Sequence, residues 1–451
     1  MKIIIVGCGK VGSTLVEQLN NEGHDITVID RDSSKLRALT DSLDIMGVEG
    51  NGAVYQVQVD AGIQNTDLLI ATTNSDELNM LCCLIAKKAG NCHTIARIRN
   101  PEYSQELSFI REELNLSMAI NPELAAAREI ARLLKFPSAV KVDTFAKGRV
   151  ELLKFHIPDQ SVLHKMKILD VSAQLHCNVL ICAVERENEV VIPDGSFQMQ
   201  AGDTISFIAS PEEAAKFFRQ ININTTAISS AMFVGGGKIT YYLAKLLENT
   251  KIKIKIIEQD LNRCNELSEL LPKALIIHGD GSDQKLLLEE GLTRTEAFCS
   301  LTGFDEENIM LSLYAASMTK AKLVTKINRI AFEDVIQKLD LGSIIYPKLI
   351  TADNILQYVR AMQNSMGSNV ETLYKIVANK AEALEFRVGK DNPVAKVPIE
   401  KLSFKDNLLI ACINRNGKII TPRGKDMIET GDTVIVVTTH SGLKDLKDIL
   451  K

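Results

Sequence analysis

Short β-branched runs recur near the start of the chain at 3–6, 26–29, 67–71 and 94–98. The stretches between them at 12–20, 34–42 and 78–89 space their apolar residues as a helix does. Strands that alternate with helices in this way need right-handed crossovers and helices on both faces, so the pattern predicts a parallel, doubly wound sheet. Near 142–210 and 373–439 the pattern changes to shorter strands, at 179–184, 204–208, 408–413 and 433–437, with turn clusters between them. That change predicts a small α+β unit after each α/β region.

The same text is written twice. Lys2 to Lys10 (KIIIVGCGK) returns as Ala231 to Lys238 (AMFVGGGK), and the run ending at Asp30 returns as one ending at Glu258, an offset of 228. Beyond one inserted residue the offset is 229, pairing Gly50 and Gly52 with Gly279 and Gly281, Asp76, Glu77 and Asn79 with Asp305, Glu306 and Asn308, and Arg97 with Lys326. The same 229 pairs Arg186 with Arg415, Pro193 with Pro422, and Gly202, Asp203 and Thr204 with Gly431, Asp432 and Thr433. The expected fold class is therefore α/β: two doubly wound parallel-sheet (Rossmann-like) domains, each followed by a small α+β domain, as a tandem duplication. The boundaries read from the sequence are 1–123, 140–226, 229–349 and 367–451.

Between the parts, Asn121 and Pro122 supply a helix cap and a first helical position, and the helix should run to Lys135 and stop at Pro137. Its counterpart begins at Tyr346 and Pro347. Such a helix can pack on a neighbouring subunit, which would make the chain self-associate, or cover its own sheet.

Composition narrows the classes. With 45% apolar and 24% charged residues in 451, the chain reads as several folded domains rather than a disordered or fibrous one. Fifty-two basic against 57 acidic residues, with no basic tail, disfavour nucleic-acid binding. Nine cysteines in apolar surroundings without a CxxC pair suggest reduced thiols and a cytoplasmic address, and no metal site is visible. No stretch of about 18 apolar residues occurs, so any membrane association is expected only through a partner.

Gly7-x-Gly9-x-x-Gly12 follows a strand, opens a helix, and is answered by Asp30 at the end of the next strand. In such a motif the first glycine makes the turn, the second lets backbone N–H groups approach a pyrophosphate, and the third lets helix and sheet pack closely. Asp30 would accept hydrogen bonds from ribose hydroxyls and repel a 2′-phosphate, favouring NAD(H) over NADP(H), with Arg31 beside it pulling the other way. The second copy keeps Gly235, Gly236, Gly237, Lys238 and Ile239 and the acid as Glu258. It places Thr240 at the packing glycine, so looser packing and a different adenosine ligand, or none, are expected there. Thr72, Thr73 and Asn74, and in the second copy Leu301, Thr302 and Gly303, should lie at strand C-termini where doubly wound sheets bind ligands. Arg97 and Arg99, with Lys326 as the second-copy cation, could neutralise phosphate charge or form an intersubunit salt bridge. Asp76, Glu77, Asp305 and Glu306 read as acids answering a helix macrodipole.

A dehydrogenase also needs a substrate domain with a His, Lys or Tyr acid–base group. The small domains offer none, because His156 and His164 have no match in the other repeat, so an enzyme is not expected. The rival classes are a soluble NAD-dependent oxidoreductase and a Rossmann-core transcriptional regulator, the second without a recognisable helix-turn-helix.

Taken together, two glycine-loop domains with a strand-end acid, each followed by a small domain carrying Gly-Asp-Thr, resemble the family of peripheral regulatory subunits of bacterial Trk potassium-uptake systems. The resemblance covers essentially the whole chain. It implies tandem RCK N and RCK C domains assembled as a cytoplasmic homo-oligomeric ring, peripheral at the inner face of the membrane beneath a Trk-type potassium channel subunit. It also implies that NAD(H) and ATP or ADP are the ligands. By motif match the nucleotide contacts fall on Gly7, Cys8, Gly9, Lys10, Val11, Asp30, Thr73 and Asn74, together with Arg97 and Arg99. In the second copy they fall on Gly235, Gly236, Gly237, Lys238, Ile239, Glu258, Asp280, Thr302 and Gly303.

Overall fold

The chain is described by a computed structural model over residues 1–135, 141–145, 150–187, 189–223, 228–329, 333–336, 338–365, 370–376, 381–390, 392–440, 443 and 445–451. Pro137, expected to stop a helix, and the expected boundaries at 140, 226 and 367 lie outside the described residues.

The first region contains β1 (Lys2–Val6), α1 (Lys10–Asn21), β2 (Asp25–Asp30), α2 (Ser33–Thr40), β3 (Met46–Glu49) and α3 (Tyr55–Asp60). It continues with β4 (Leu68–Ala71), α4 (Asp76–Gly90), β5 (His93–Arg97), α5 (Pro101–Gln105), α6 (Leu107–Glu113) and β6 (Met118–Ile120). Helix α7 (Pro122–Lys135) leads to β7 (Lys141–Phe145), β8 (Val150–His156), α8 (Ile168–Leu175), β9 (Leu180–Arg186), β10 (Glu189–Val191), β11 (Thr204–Ala209) and α9 (Pro211–Gln220).

The second copy repeats the plan. It runs through β12 (Ser230–Val234), α10 (Lys238–Leu247), β13 (Lys253–Glu258), α11 (Leu261–Leu270), β14 (Leu275–His278) and α12 (Gln284–Glu289). Next come β15 (Ala297–Ser300), α13 (Asp305–Met318), β16 (Lys322–Lys326), α14 (Glu333–Ile336), β17 (Ser343–Ile345) and α15 (Pro347–Ser365). The last sheet is built from β18 (Val370–Ile376), β19 (Ala381–Arg387), β20 (Leu408–Arg415), β21 (Lys418–Ile420) and β22 (Thr433–Thr438).

Both larger sheets are parallel and six-stranded, in the orders β3-β2-β1-β4-β5-β6 and β14-β13-β12-β15-β16-β17. This is the doubly wound order with its switch point between the first and fourth strands, where the two halves of the sheet run outward in opposite directions and leave a crevice at the strand C-termini. The central strands are buried throughout: Ile3 to Val6 and Leu68 to Ala71 are at most 2% exposed. Strands β3 and β6 were not among the runs read from the sequence. One is a largely exposed edge (MGVE) and the other has three residues, so neither leaves a hydrophobic period.

The two Rossmann-like regions, Met1–Ala131 and Ser230–Leu356, form one unit, and Arg132–Ser229 with Gln357–Lys451 form the other. In this second unit the sheets are antiparallel and five-stranded, ordered β10-β9-β11-β8-β7 and β18-β19-β22-β20-β21. They share one core, in which Leu152, Cys182 and Ile208 meet Ala381, Ala411 and Val437. Each of these three pairs is separated by the repeat offset of 229, so the same patch of each copy is used against the other, as in an isologous dimer interface. The repeated Gly-Asp-Thr has a structural job there. Arg186 grips the buried Asp203 through two hydrogen bonds of 2.7 and 2.8 Å, and Arg415 grips Asp432 at 3.0 and 2.8 Å.

The connecting helices differ from one of the two uses expected for them. Ala126, Ala127, Ile130, Leu133 and Leu134 of α7, and Ala352, Ile355, Leu356 and Val359 of α15, are at most 2% exposed within the single chain. Their apolar faces are already covered, and they give no separate reason for self-association. All nine cysteines carry free thiols and are buried. Among the described residues no helix is long and apolar enough to cross a membrane.

Candidate functional site

The end of β1 turns sharply at Gly7, whose φ of +101° belongs to the left-handed region that favours glycine. A Cβ on Gly12 would stand 1.9 Å from the Gly7 carbonyl oxygen, so only glycine lets α1 start this close to the turn. Gly9 caps α1 with no side-chain hydrogen bond, and a Cβ there would meet nothing within 4 Å. The first N–H groups of α1 therefore face open space at the positive end of a twelve-residue helix, which is the arrangement that takes a phosphate group. Val11 and Cys8 are buried, and burial together with neighbouring Asp30 pushes the Cys8 thiol up to about 12.

Asp30 already has work in the fold. Its two oxygens accept the N–H groups of Cys8 and, at 2.9 Å, Asp32, tying the glycine turn to the end of β2. A carboxylate has about four acceptor positions, so acceptor capacity remains for a ribose hydroxyl. On the other side of the crevice, Thr72 N–H donates to Val6 O at 2.8 Å, and the loop that follows is held by Asn79. The amide oxygen of this fully buried Asn79 accepts from Thr73 N at 2.8 Å and Thr73 Oγ1 at 2.7 Å, and its Nδ2 donates to Arg97 O at 2.9 Å. Arg97 Nη1 approaches the carbonyls of Thr72 and Thr73 at 3.4 Å, and Arg99 Nη2 donates to Asn74 O at 2.6 Å. Burial, helped by Arg99, lowers the affinity of Arg97 for its proton. Gly7, Cys8, Gly9, Lys10, Val11, Asp30, Thr73, Asn74, Arg97 and Arg99 thus converge on one end of the first sheet.

The second copy converges likewise. Gly235 takes φ +98°, Gly237 caps α10 without a side-chain hydrogen bond, and a Cβ on Gly237 meets nothing within 4 Å. The oxygens of Glu258 accept from Gly236 N at 2.6 Å and Asp260 N at 2.8 Å, so the longer acid makes the same tie as Asp30. The cap backbones are alike, with φ −70°, ψ −177° at Gly9 and φ −67°, ψ −176° at Gly237. Thr240 does not leave loose packing. It is fully buried, and its hydroxyl donates to Gly235 O at 2.5 Å, so the second turn admits a side chain where the first has no room for one. Asp280 closes a turn at the end of β14, accepting from Ser282 N and Oγ at 2.8 Å, which hold its carboxyl below the usual range. Thr302 is fixed by Asn308 at 2.9 Å, Gly303 follows it, and Lys326 Nζ approaches Leu301 O at 3.4 Å.

Three sets of residues were missed or misread in the sequence. Asn79 and Asn308 shape both loops; their recurrence at offset 229 was visible, but not what they hold. Asp76 and Asp305 do more than answer a helix dipole. Asp76 accepts the N–H groups of Arg99 and Asn100 at 2.7 Å, and Asp305 those of Asn328 and Arg329 at 2.8 Å, clamping the segment after the fifth strand. Arg263 donates to Gly236 O at 2.7 Å across the second glycine turn, where the first copy has Lys35, and nothing in the local pattern announced it. His156 and His164, the histidines weighed as acid–base groups, are engaged by Thr204 Oγ1 and Ala201 N.

Comparison with known proteins places this geometry. The TrkA-N domain family model matches residues 3–122 and 231–347, and the TrkA-C domain model matches 152–222 and 383–451. A Trk system potassium uptake protein TrkA from Haemophilus influenzae is 34% identical over 97% of this chain and 95% of its own length. A TrkA homolog 1 from Methanosarcina mazei is 30% identical over the full length of both. Among solved structures, the GsuK RCK domain superposes with a TM-score of 0.62 at 15% identity, covering 97% of this chain and 92% of that one. The GsuK channel bound to NAD superposes at 0.63 and 14% identity, over 97% of this chain and 76% of that one. The fold is thus shared with RCK assemblies, and by full-length identity and both domain models the chain belongs to the TrkA family of Trk-system potassium uptake proteins.

Proposed function

We propose that this chain is a non-enzymatic, nucleotide-sensing regulatory subunit that gates a membrane-embedded Trk-type potassium transporter from the cytoplasmic side. The observation that carries this reading is the pair of uncapped helix N-termini, at Gly9 and Gly237, each opening on empty space beside a strand-end carboxylate. In the first pocket the backbone of Gly7 to Val11 would receive the diphosphate of NAD(H), Asp30 the ribose, and Thr73, Asn74, Arg97 and Arg99 the remaining phosphate side. In the second, the backbone of Gly235 to Ile239, with Glu258, Asp280, Thr302 and Gly303, would hold NAD(H) or an adenine nucleotide such as ATP or ADP. Membership in a family whose relatives are named for potassium uptake supports the role, and a neighbour described as a channel bound to NAD supports the ligand class. A bound nucleotide supplies negative charge at the helix N-termini, and a regulator responds to it only as far as its shapes differ in affinity. A homo-oligomeric ring docked on the membrane subunit would carry that response to the pore.

The test is calorimetric titration of the full chain with NAD, NADH, ATP and ADP, repeated on Asp30→Ala and Glu258→Ala, with potassium flux through the reconstituted membrane subunit as second readout. Separable binding defects are expected, with affinities at the two pockets at least about tenfold apart, equivalent to about 1.4 kcal/mol. Because Asp30 and Glu258 also hold backbone N–H groups, a melting curve accompanies each variant. Absence of nucleotide binding by the folded wild type would overturn the reading.

A further inference from the structure

Within the unit formed by the two Rossmann-like regions, one side chain joins the candidate pocket of one copy to that of the other. Tyr242 lies in the second turn of α10, the helix whose N-terminus faces the second pocket, and is 6% exposed. Its hydroxyl donates to Arg99 O at 3.1 Å and accepts from Asn121 Nδ2 at 2.9 Å. Both partners belong to the first copy. Arg99 is the residue whose N–H is clamped by Asp76 and whose guanidinium holds Asn74, so its carbonyl is part of the rigid segment that also positions Arg97. Asn121 is the cap of α7, its Oδ1 accepting Leu124 N at 2.9 Å. A buried tyrosine hydroxyl thus bridges the phosphate-facing helix of one pocket, the arginine segment of the other, and the start of the helix that leads out of the unit.

At the offset of 228 the first copy has Thr14 where the second has Tyr242, and the Thr14 hydroxyl donates to Lys10 O inside its own helix at 3.0 Å. The position of Asn121 is taken by Tyr346 in the second copy. The duplication alone would give like residues at these positions; the substitutions give the two copies different side chains there, and the Tyr242 hydroxyl supplies a hydrogen-bonded link from the second copy to the first.

We propose that Tyr242 is a positioning residue that couples the two nucleotide pockets of one chain, so that occupancy of the second pocket alters the affinity of the first through the Arg97–Arg99 segment. This rests on the reading of both pockets as nucleotide sites. An anion drawn to the N-terminus of α10 acts on a rigid helix, and Tyr242 transmits any shift of that helix to Arg99 O, because a buried hydroxyl that lets go of its partners loses bonds that water cannot replace there. Coupling is reciprocal by linkage, so a ligand in the first pocket changes the second by the same factor.

The experiment measures the affinity of the full chain for NADH by fluorescence, with and without saturating ADP, in wild type, Tyr242→Phe and Asn121→Ser. The phenylalanine keeps the ring and removes the hydroxyl. The serine keeps an N-cap acceptor for α7 and removes the amide that reaches Tyr242. Glu258→Ala serves as the control in which ADP should no longer act from the second pocket. We expect ADP to change the wild-type NADH affinity at least about threefold, equivalent to about 0.65 kcal/mol. In both bridge variants that ratio should fall to within about 1.3-fold of unity, while NADH affinity without ADP stays within about twofold of wild type. A purely structural hydroxyl would lower the melting temperature and leave the ratio unchanged, and that result overturns the proposal. So does a wild-type ratio of one with both nucleotides bound at separate pockets, an outcome that leaves the nucleotide reading standing. Failure of both nucleotides to bind removes that reading and the coupling together.

Discussion

Replacing Gly9 by valine separates binding from folding more cleanly than any other single change in the first pocket. The backbone at Gly9 is ordinary, with φ −70° and ψ −177°, and the added side chain enters space with no atom within 4 Å of its Cβ. Losing a glycine favours folding by about 0.4–1 kcal/mol through the unfolded chain, while a poorer N-cap costs a comparable amount, so stability should move by no more than about 1 kcal/mol. The same open space is the approach to the first N–H groups of α1. A branched side chain there displaces the anion that those groups would bind. Hydrogen bonds to a charged group contribute about 1.5–3 kcal/mol each, so losing two costs about 3–6 kcal/mol, or about 150- to 25,000-fold in affinity. Gly12→Ala is the contrasting case: its Cβ collides with Gly7 O at 1.9 Å, and both the melt and the binding should suffer. Thermal denaturation and NADH titration of wild type, Gly9→Val, Gly12→Ala and the twin Gly237→Val give the comparison. If Gly9→Val and Gly237→Val both bind nucleotide within about threefold of wild type, the phosphate does not approach these helices and the assignment of both pockets falls.

Arg186→Ala should destabilise the chain by about 2–3 kcal/mol, because it strands the Asp203 carboxylate, 1% exposed, without its charge partner; the guanidinium itself is 34% exposed, which keeps the loss below that of a fully buried pair. A denaturant midpoint within error of wild type would show the clamp to be idle. Lys322, half-buried at the start of β16, has its ordinary value of 10.5 lowered to about 8 by burial. The unfolded chain therefore binds more protons than the folded one between those values, so stability rises with pH from about 8 to 10.5 and the penalty is carried at neutral pH. Lys322→Met should flatten the rise above pH 8, measured as melting temperature against pH, and an unaltered slope would refute the assignment. Sedimentation velocity at micromolar concentration should show species larger than one chain; a monomer alone would count against a ring, since the covered faces of α7 and α15 no longer argue for one.

What the sequence determined by itself was the strongly periodic elements, the glycine turns and the repeat. Buried central strands such as Ile3–Val6 and Leu68–Ala71 carry unbroken apolar runs because both their faces are covered, and the glycine turns and strand-end acids are legible because backbone geometry there admits few residue types. The offset of 228 or 229 likewise exposed the tandem plan without reference to any contact. Short or exposed elements such as β3 and β6 stayed hidden, since an edge strand of three or four residues has no buried period to display. Only the tertiary structure decided how the copies use one another. The sequence sets a small domain after each Rossmann-like one, yet like regions gather with like, as the shared core of Leu152, Cys182 and Ile208 with Ala381, Ala411 and Val437 shows. A duplicated surface can meet its own copy in one chain as two subunits would, and that match lies between residues some 229 apart, beyond the reach of any local pattern. The second uses of Asp30, Asp76 and Asn79, and the bridge at Tyr242, follow from the same cause: each depends on which backbone group a polar side chain finds buried beside it once the chain has closed.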